Sequence, residues 1–540
     1  MPGVLLLTSC SKPNPIGPSF HADVAPVMHQ HCIRCHQPGG DAPFSLISYE
    51  DANIRRAEII DVLKTGHMPR WLPADDSLPI LGRPTITEAE KDLLTRWADS
   101  GLEGQINAPA TPPKNVHWSL GEPDLHVVFP TVAITGETNT LYHTVIASAA
   151  VDKPRYVTGI QIHSGNNQAI QQMTLQIDPY SARRGQGNDN HAVCFSGPAY
   201  GLAQHPDGHV LNWTPGKQGQ HISPELAWTL KPGTDLVLQL HLRDLSETAS
   251  LTPEVGLYFS DDPPIHQTHG VTLECTDFEI PAGQSAFALH QSFTLPADSH
   301  LYTLYPQAHL LCRSMMISAD LPSGESVRLL HIPHWNPNGQ DAYQLASPYY
   351  LPKGSILQMD YVYDNSSDNP SNPYSPPQPI IQGYHRTDEI ARLSAQLLPV
   401  READYPALQE ASIRNALAKN DSANNHLELA NLLRNRRAFE EALTHYQQAI
   451  QRTPKSISAH RNLAATYASS GQLANAYEAM VETIELNPAN AEAWAYMGSL
   501  LIALEDQKGA TEAFQQVLEL DPDNRKALAE LNRLKKLAEH

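Results

Sequence analysis

Basic charge is in short supply in this chain, where 37 lysines and arginines stand against 58 aspartates and glutamates, a net −21. Such a surface repels a phosphate backbone and offers no basic face along it, which excludes nucleic acid as a partner. Long apolar runs are missing too. No segment approaches the roughly 18 consecutive apolar residues of a membrane span, so attachment to a membrane would have to come through lipid. Neither a phosphate-binding glycine loop nor a serine or cysteine nucleophile motif stands out. Cysteine is scarce, six in 540 residues. Length and turn formers are abundant instead. A chain of 540 residues exceeds a single hydrophobic core and predicts three to five domains of roughly 100–200 residues. The 44 prolines and 30 glycines, set among 41% apolar residues, suit turn-rich β-structure rather than a disordered tail.

Two of the cysteines stand in "HQHCIRCHQPGG", where Cys32, Cys35 and His36 read C-x-x-C-H. A c-type haem needs two thiols placed to form thioethers with its vinyl groups and a histidine directly after them to reach the iron. A zinc site would want a second ligand pair, and the nearest later cysteine is Cys194. A thioredoxin-type dithiol would want a βα context and makes no use of His36. Downstream, "VLKTGHMPRW" offers Met68 as the sixth ligand, a soft thioether that raises the haem potential. His67, His29 and His31 compete for that place. In "TITEAEKDLLTRWADSGLEG", Thr87 and Glu90 form a capping box, Leu93, Leu94 and Trp97 share a helical face, and Gly101 ends the helix. Residues 19–106 resemble small cytochrome c domains, which implies an all-α module with crossing terminal helices and the methionine loop between them. A proline-rich linker, 107–116, follows. Ahead of the module, "LLLTSC" resembles a bacterial lipoprotein cleavage box. That resemblance implies lipid on Cys10, a leader and linker over 1–18, and a place in the periplasm or at the cell surface, anchored to a bacterial membrane. A plain secretory or cytosolic start is the alternative.

The C-terminal part repeats itself. Pro454, Pro488 and Pro522 are 34 residues apart, each preceded at twelve residues by Ala442, Ala476 or Ala510 and at eight by Tyr446, Met480 or Phe514. This is the tetratricopeptide period, and it predicts an α-solenoid over 421–540 with repeats 423–456, 457–490 and 491–524 and a capping helix. Each helix pair buries its apolar face only against a neighbour. Such arrays bind protein segments in a concave groove; a rigid spacer or dimer surface is the plainer alternative. A connecting helix or linker is expected over 398–420.

Between these ends the pattern changes to short alternating strands such as "YVTGIQIH", "DLVLQLHL" and "SILQMDYVYD", separated by Gly, Pro, Asn and Asp clusters. That predicts two antiparallel β-sandwich or jelly-roll domains, over 117–265 and 266–397. The phrases "HWSLGEPDLHVVFP", "VTGIQIHSGNNQAIQQMTLQID", "LKPGTDLVLQLHL", "LYPQAHLLCRSM", "LPKGSILQMDYVYDNSSDNPSNP" and "RTDEIARL" occur in an order similar to that of the copper type II, ascorbate-dependent monooxygenases, the family of peptidylglycine α-hydroxylating monooxygenase. The resemblance covers roughly half of the chain and implies two sandwiches that each hold one copper facing a shared cleft.

On that resemblance, most copper-ligand positions are replaced. Gln171 and Gln172 stand where the family has paired histidines, and His241 matches the third ligand of that site. At the second site Gln307 replaces the first histidine of an H-x-H pair, His309 keeps the second, and Ile390 stands where a methionine ligand belongs. One imidazole per site is a poor copper trap. Alternation along "DLVLQLHLR" sets His241 on the face opposite four leucines, as a ligand would be. Other histidines of the 26, for example His163, His331 or His334, are candidates for a remodelled site. Cys275 and Cys312 are expected to pair as a disulfide within the second sandwich, leaving Cys194. These features describe an extracytoplasmic c-type cytochrome with one haem c that transfers single electrons to a redox partner protein, its copper-depleted sandwiches and repeats binding and assembling partners. The alternatives are a copper monooxygenase supplied with electrons by the haem, and an adaptor in which haem only stabilises the first module.

Overall fold

The computed structural model describes residues 17–33, 35–37, 42–65, 68, 71–83, 86–104, 117–134, 141–178, 192–197, 203–243 and 248–538. Cys10 and the linker 107–116 lie outside these described residues. The chain divides into two compact units, residues 1–294 with 298–402, and residues 403–540 with 295–297.

The first unit opens with helices Ala25–His31, Tyr49–Ile54, Arg56–Lys64 and Glu88–Ser100. The last of these starts and stops for the reasons its sequence carries. Thr87 and Glu90 close a capping box, and Gly101 takes the left-handed conformation (φ 61°) at its end. Leu94 and Trp97 are fully buried on its inner face with Phe20, Val24, Met28 and Ile60. The Trp97 ring lies 5.7 Å from that of Phe20, so this helix packs on the helical turn Phe20–Val24.

Two pairs of antiparallel sheets follow. In the first pair, a sheet built on Leu125–Val128, Glu254–Ser260, Arg155–His163 and Gln220–His221 faces a sheet of Ala192–Ser196, Tyr142–Ser148, Asp235–Leu242, Ile170–Asp178 and Leu211–Trp213. Leu236, Leu238, Leu240 and Leu242 enter the shared core with Ile160, Ile162, Val255 and Leu257, as alternation along the strand requires. In the second pair, His269–Cys275, Ala391–Pro399, Ser299–Gln307 and Tyr343–Leu351 form one sheet. Phe287–Thr294, Ile356–Tyr363, Cys312–Asp320 and Ser326–Ile332 form the other. Tyr361 and Tyr363, both fully buried, donate their hydroxyls across to the carbonyls of Arg392 and Ile390.

The expected boundary after residue 106 is not the edge of a compact unit, because backbone bonds tie the helical segment to the second sheet pair. The amides of Ala74, Leu78 and Leu81 donate to the carbonyls of His331, Leu329 and Gln344 at 2.8, 3.1 and 2.8 Å. The connecting stretch 398–420 also differs from a plain linker: its first residues finish strand Ala391–Pro399, and helix Tyr405–Lys419 packs on the helical array through Ile413.

The second unit stacks helix pairs Ala423–Asn435/Phe439–Arg452, Ile457–Ser469/Leu473–Leu486 and Ala491–Ala503/Gln507–Leu520, then Arg525–Ala538. The period is written in the caps. Ser422, Ser456 and Asn490 each accept the amide three residues on, and Asn524 does the same for Ala527. Ala442, Ala476 and Ala510, and likewise Tyr446, Met480 and Phe514, are completely buried. The turn within each pair places Arg437, Gly471 and Glu505 at φ 62°, 82° and 64°. Only the middle repeat has glycine there. A left-handed conformation costs an L-residue about 1–2 kcal/mol, whereas glycine adds up to about 1 kcal/mol of chain entropy to lose. Arg437→Gly and Glu505→Gly are therefore each expected to raise stability by about 0.5–1 kcal/mol, measured as a higher denaturation midpoint.

Candidate functional site

Helix Ala25–His31 delivers the chain into a tight turn in which the amides of Cys35 and His36 both bond the Cys32 carbonyl, at 3.2 and 3.0 Å. His36 Nδ1 lies 3.2 Å from the Phe44 carbonyl, with the two rings 4.6 Å apart. A carbonyl only accepts, so Nδ1 carries the proton and the lone pair lies on Nε2, the form in which imidazole ligates a metal. Burial, and then the neighbouring Cys35, push the Cys32 thiol up to about 11. A dithiol exchange centre needs the opposite, a thiolate stabilised below its ordinary range. Cys32, Cys35 and His36, gathered in one turn, are the donor types through which a c-type haem is attached. The Met68 amide is held by the Val62 carbonyl at 3.1 Å. His31, one competitor for the sixth position, is occupied by Glu90, with Nε2 and Oε1 3.3 Å apart.

The second candidate region lies between the two sheet pairs, where the expected copper positions come together. Gln172, His241 and Tyr142 stand side by side in register on three adjacent strands of the first pair. Cross-strand neighbours share a face. Tyr142 stacks on His241, centroids 4.5 Å apart and planes 14° apart, and its hydroxyl meets His309 Nε2 of the second pair at 3.0 Å. The His241 and His309 rings are 5.9 Å apart and both are buried. The face of His241 is thus opposite the leucine core, as alternation demands, yet covered rather than open to a cleft.

Glutamine side chains finish the seam. Gln172 Oε1 accepts from Gln340 Nε2 at 2.8 Å, and its own amide donates to the Tyr305 hydroxyl. Gln171 Nε2 donates to the Pro337 carbonyl at 2.8 Å. Farther along, Asn212 and Lys217 hold Asp341 at 2.9 and 2.8 Å, and Gln396 Nε2 lies 3.0 Å from His209 Nδ1. Burial, then His309, push His241 down to about 3, so it is neutral. Under the seam sits Glu389, 1% exposed, which takes the amides of Leu311, His309 and Ile390 at 2.6, 2.9 and 3.3 Å. Burial pushes its carboxyl up to about 8 against the pull of those three donors.

These residues do not fit copper. His309 spends Nδ1 on the Asp388 carbonyl at 2.8 Å and Nε2 on Tyr142. Ile390 is buried hydrocarbon, and Gln307 sits at a strand end opposite Arg392. His241 Nε2 is buried without a hydrogen-bond partner among the described residues, and a single imidazole is not a copper site. Of the other histidines considered, His163 lies 3.0 Å from the Gln161 amide and stacks on His117, and His331 holds Asp76. No group of three or more His, Cys, Asp and Glu able to hold a metal occurs among the described residues. The structure also does not join Cys275 to Cys312. Their thiols point at the carbonyls of His290 and Ser314, each at 3.8 Å, on different sheets of the pair. Cys194 is exposed.

Tyr142, Glu389, Tyr305 and Gln340 were not singled out by sequence. Glu389 had a signal, being the acid beside Ile390 in "RTDEIARL". Tyr142 had none, since it reads as one more apolar position of a strand.

Family models for tetratricopeptide repeats match residues 430–471 and 491–524. No curated protein matches the chain. Among solved structures, the array is similar to the first TPR of Spaghetti (RPAP3) bound to an HSP90 peptide, at 23% identity and TM-score 0.21, over 22% of this chain and 95% of that one. It is also similar to the Arabidopsis OM64 TPR domain, at 22% identity and TM-score 0.21, over 22% and 96%. A third is MamA, at 15% identity and TM-score 0.24, over 24% and 77%. The C-terminal unit is a tetratricopeptide-repeat array, a class of scaffold that binds protein segments.

Proposed function

We propose that the chain is an extracytoplasmic c-type cytochrome that passes single electrons, one haem c being held through Cys32 and Cys35, with His36 and Met68 on the iron. The two sheet pairs keep the order of a copper monooxygenase whose ligand positions have become a seam, and they serve with the repeat array as binding and assembly modules. Its partners are a redox protein at the haem and a protein segment in the repeat groove. A lipid on Cys10 places the chain in the periplasm or at the cell surface of a bacterium. The single observation behind this reading is the turn at Cys32, which brings Cys35 and His36 together with His36 Nδ1 on the Phe44 carbonyl.

The test is maturation in a host with haem-attachment machinery. One covalently bound haem per chain, reversibly reduced by one electron, with no stoichiometric copper, is the expected result. Protein that emerges without covalent haem, or that holds copper tightly and oxidises a C–H bond with it, would overturn the proposal.

A further inference from the structure

Residues 71–81 follow the proposed axial methionine and run along the second sheet pair. The Trp71 ring meets Tyr343 edge-on at 5.9 Å. Leu72 lies against Gly339 so closely that a β-carbon there would sit 3.0 Å from its Cγ. Beyond it, Ala74 and Leu78 bond strand Ser326–Ile332, while Leu81 and the Pro79 carbonyl bond strand Tyr343–Leu351. These strands lie at the ends of the two sheets, so one short segment closes an edge of each. Asp76 fastens its middle, meeting His331 Nδ1 at 3.0 Å and pairing with Arg328.

The same segment leans on the loop that builds the seam. Pro337 and Gln340, either side of Gly339, are the partners of Gln171 and Gln172, and the Tyr343 hydroxyl donates to the Gly339 carbonyl at 3.3 Å. Only three residue steps separate Met68 from Trp71, and three steps of extended chain reach at most about 11 Å. The methionine is therefore tethered within one short span of an anchored ring.

We propose that residues 71–81 are a strap that holds the Met68 loop to the second sheet pair, which makes Asp76 a positioning residue for the iron's sixth ligand and links haem ligation to the seam. This rests on the haem assignment made under the proposed function. Asp76 does not touch the iron. It acts through the strap, by limiting how far Met68 can withdraw.

The experiment uses the full, haem-loaded chain with Asp76→Lys, which sets like charge against Arg328, and with Trp71→Ala as a second variant that leaves Asp76 in place. Amide hydrogen exchange reads the strap at Ala74, Leu78 and Leu81. Visible spectroscopy of the ferric protein and the midpoint potential read methionine ligation. The expected result is exchange at those amides at least about tenfold faster, with covalent haem retained, weaker methionine-to-iron absorption and a lower potential, since thioether ligation raises it. Faster exchange with unchanged absorption and potential would overturn the strap's role while leaving the haem assignment intact. Unchanged exchange in both variants would overturn the strap itself. Wild-type chain without covalent haem would overturn the haem assignment and, with it, the role of Asp76, and exchange at the three amides would still show whether the segment is anchored.

Discussion

Glu389→Ala is expected to lower the unfolding stability of the first unit by about 3–5 kcal/mol, the largest single loss anticipated from one side chain. Its carboxyl group is the acceptor for three backbone amides in a buried site. Orphaning a buried donor costs about 1–3 kcal/mol, and the substitution removes the side-chain acceptor of three. Glu389→Gln keeps one oxygen and should lose less. A pH signature accompanies the mutation. The carboxyl binds its proton up to about pH 8 in the folded chain but only to about 4.3 when unfolded. Across that window the folded state carries more protons, so stability is complete below the unfolded value and declines as pH rises towards 8, by up to about 1.4 kcal/mol per unit. His205 and His241, both pushed down to about 3 by burial, and His269, pushed down to about 4, act oppositely, because only their unfolded forms take up protons below about pH 6.5. Three such histidines outweigh one glutamate. Stability of the wild type should therefore peak near pH 6.5 and fall on either side, and Glu389→Ala should flatten the alkaline limb while steepening the acid one. Denaturation midpoints between pH 5 and 8 measure this, and an alkaline limb that survives the substitution would refute it.

His36→Ala in haem-loaded protein is expected to leave the haem attached through Cys32 and Cys35 while abolishing its low-spin ligation. Losing a partner that only orients a ligand costs about 10–100-fold, so losing the ligand itself should cost one-electron transfer more than that. Absorption spectra and stopped-flow reduction of the variant measure the effect. Removing the imidazole leaves the Phe44 carbonyl and the Cys32 turn in place, so a folding defect would show separately by circular dichroism. Unchanged reduction kinetics would place the iron's ligand elsewhere in the chain.

Local chemistry made much of this protein legible in its residues. The capping box at Thr87, the left-handed Gly101, the 34-residue recurrence of buried alanines and the four leucines facing one core all depend on neighbours a few positions away or on a strict period. Their spacing alone carries them. The C-x-x-C-H run is of the same kind, since its three donors lie within one turn. The strap was not visible, because its partners are His331, Leu329 and Gln344, some 250 positions away, and its ties are backbone bonds that no side-chain pattern announces.

The seam divides the two kinds of information most sharply. From the sequence one could tell that Gln171, Gln172 and Gln307 were weak donors and Ile390 none, since donor strength belongs to the side chain. How the two sheet pairs meet depended on Tyr142, which stacks on His241 and bonds His309 from a strand that reads as ordinary core. Composition and period determine which elements form and which atoms can donate. Tertiary packing alone decided that His241 and His309 are buried together beside Tyr142, because burial is a property of what covers a residue and not of the residue itself.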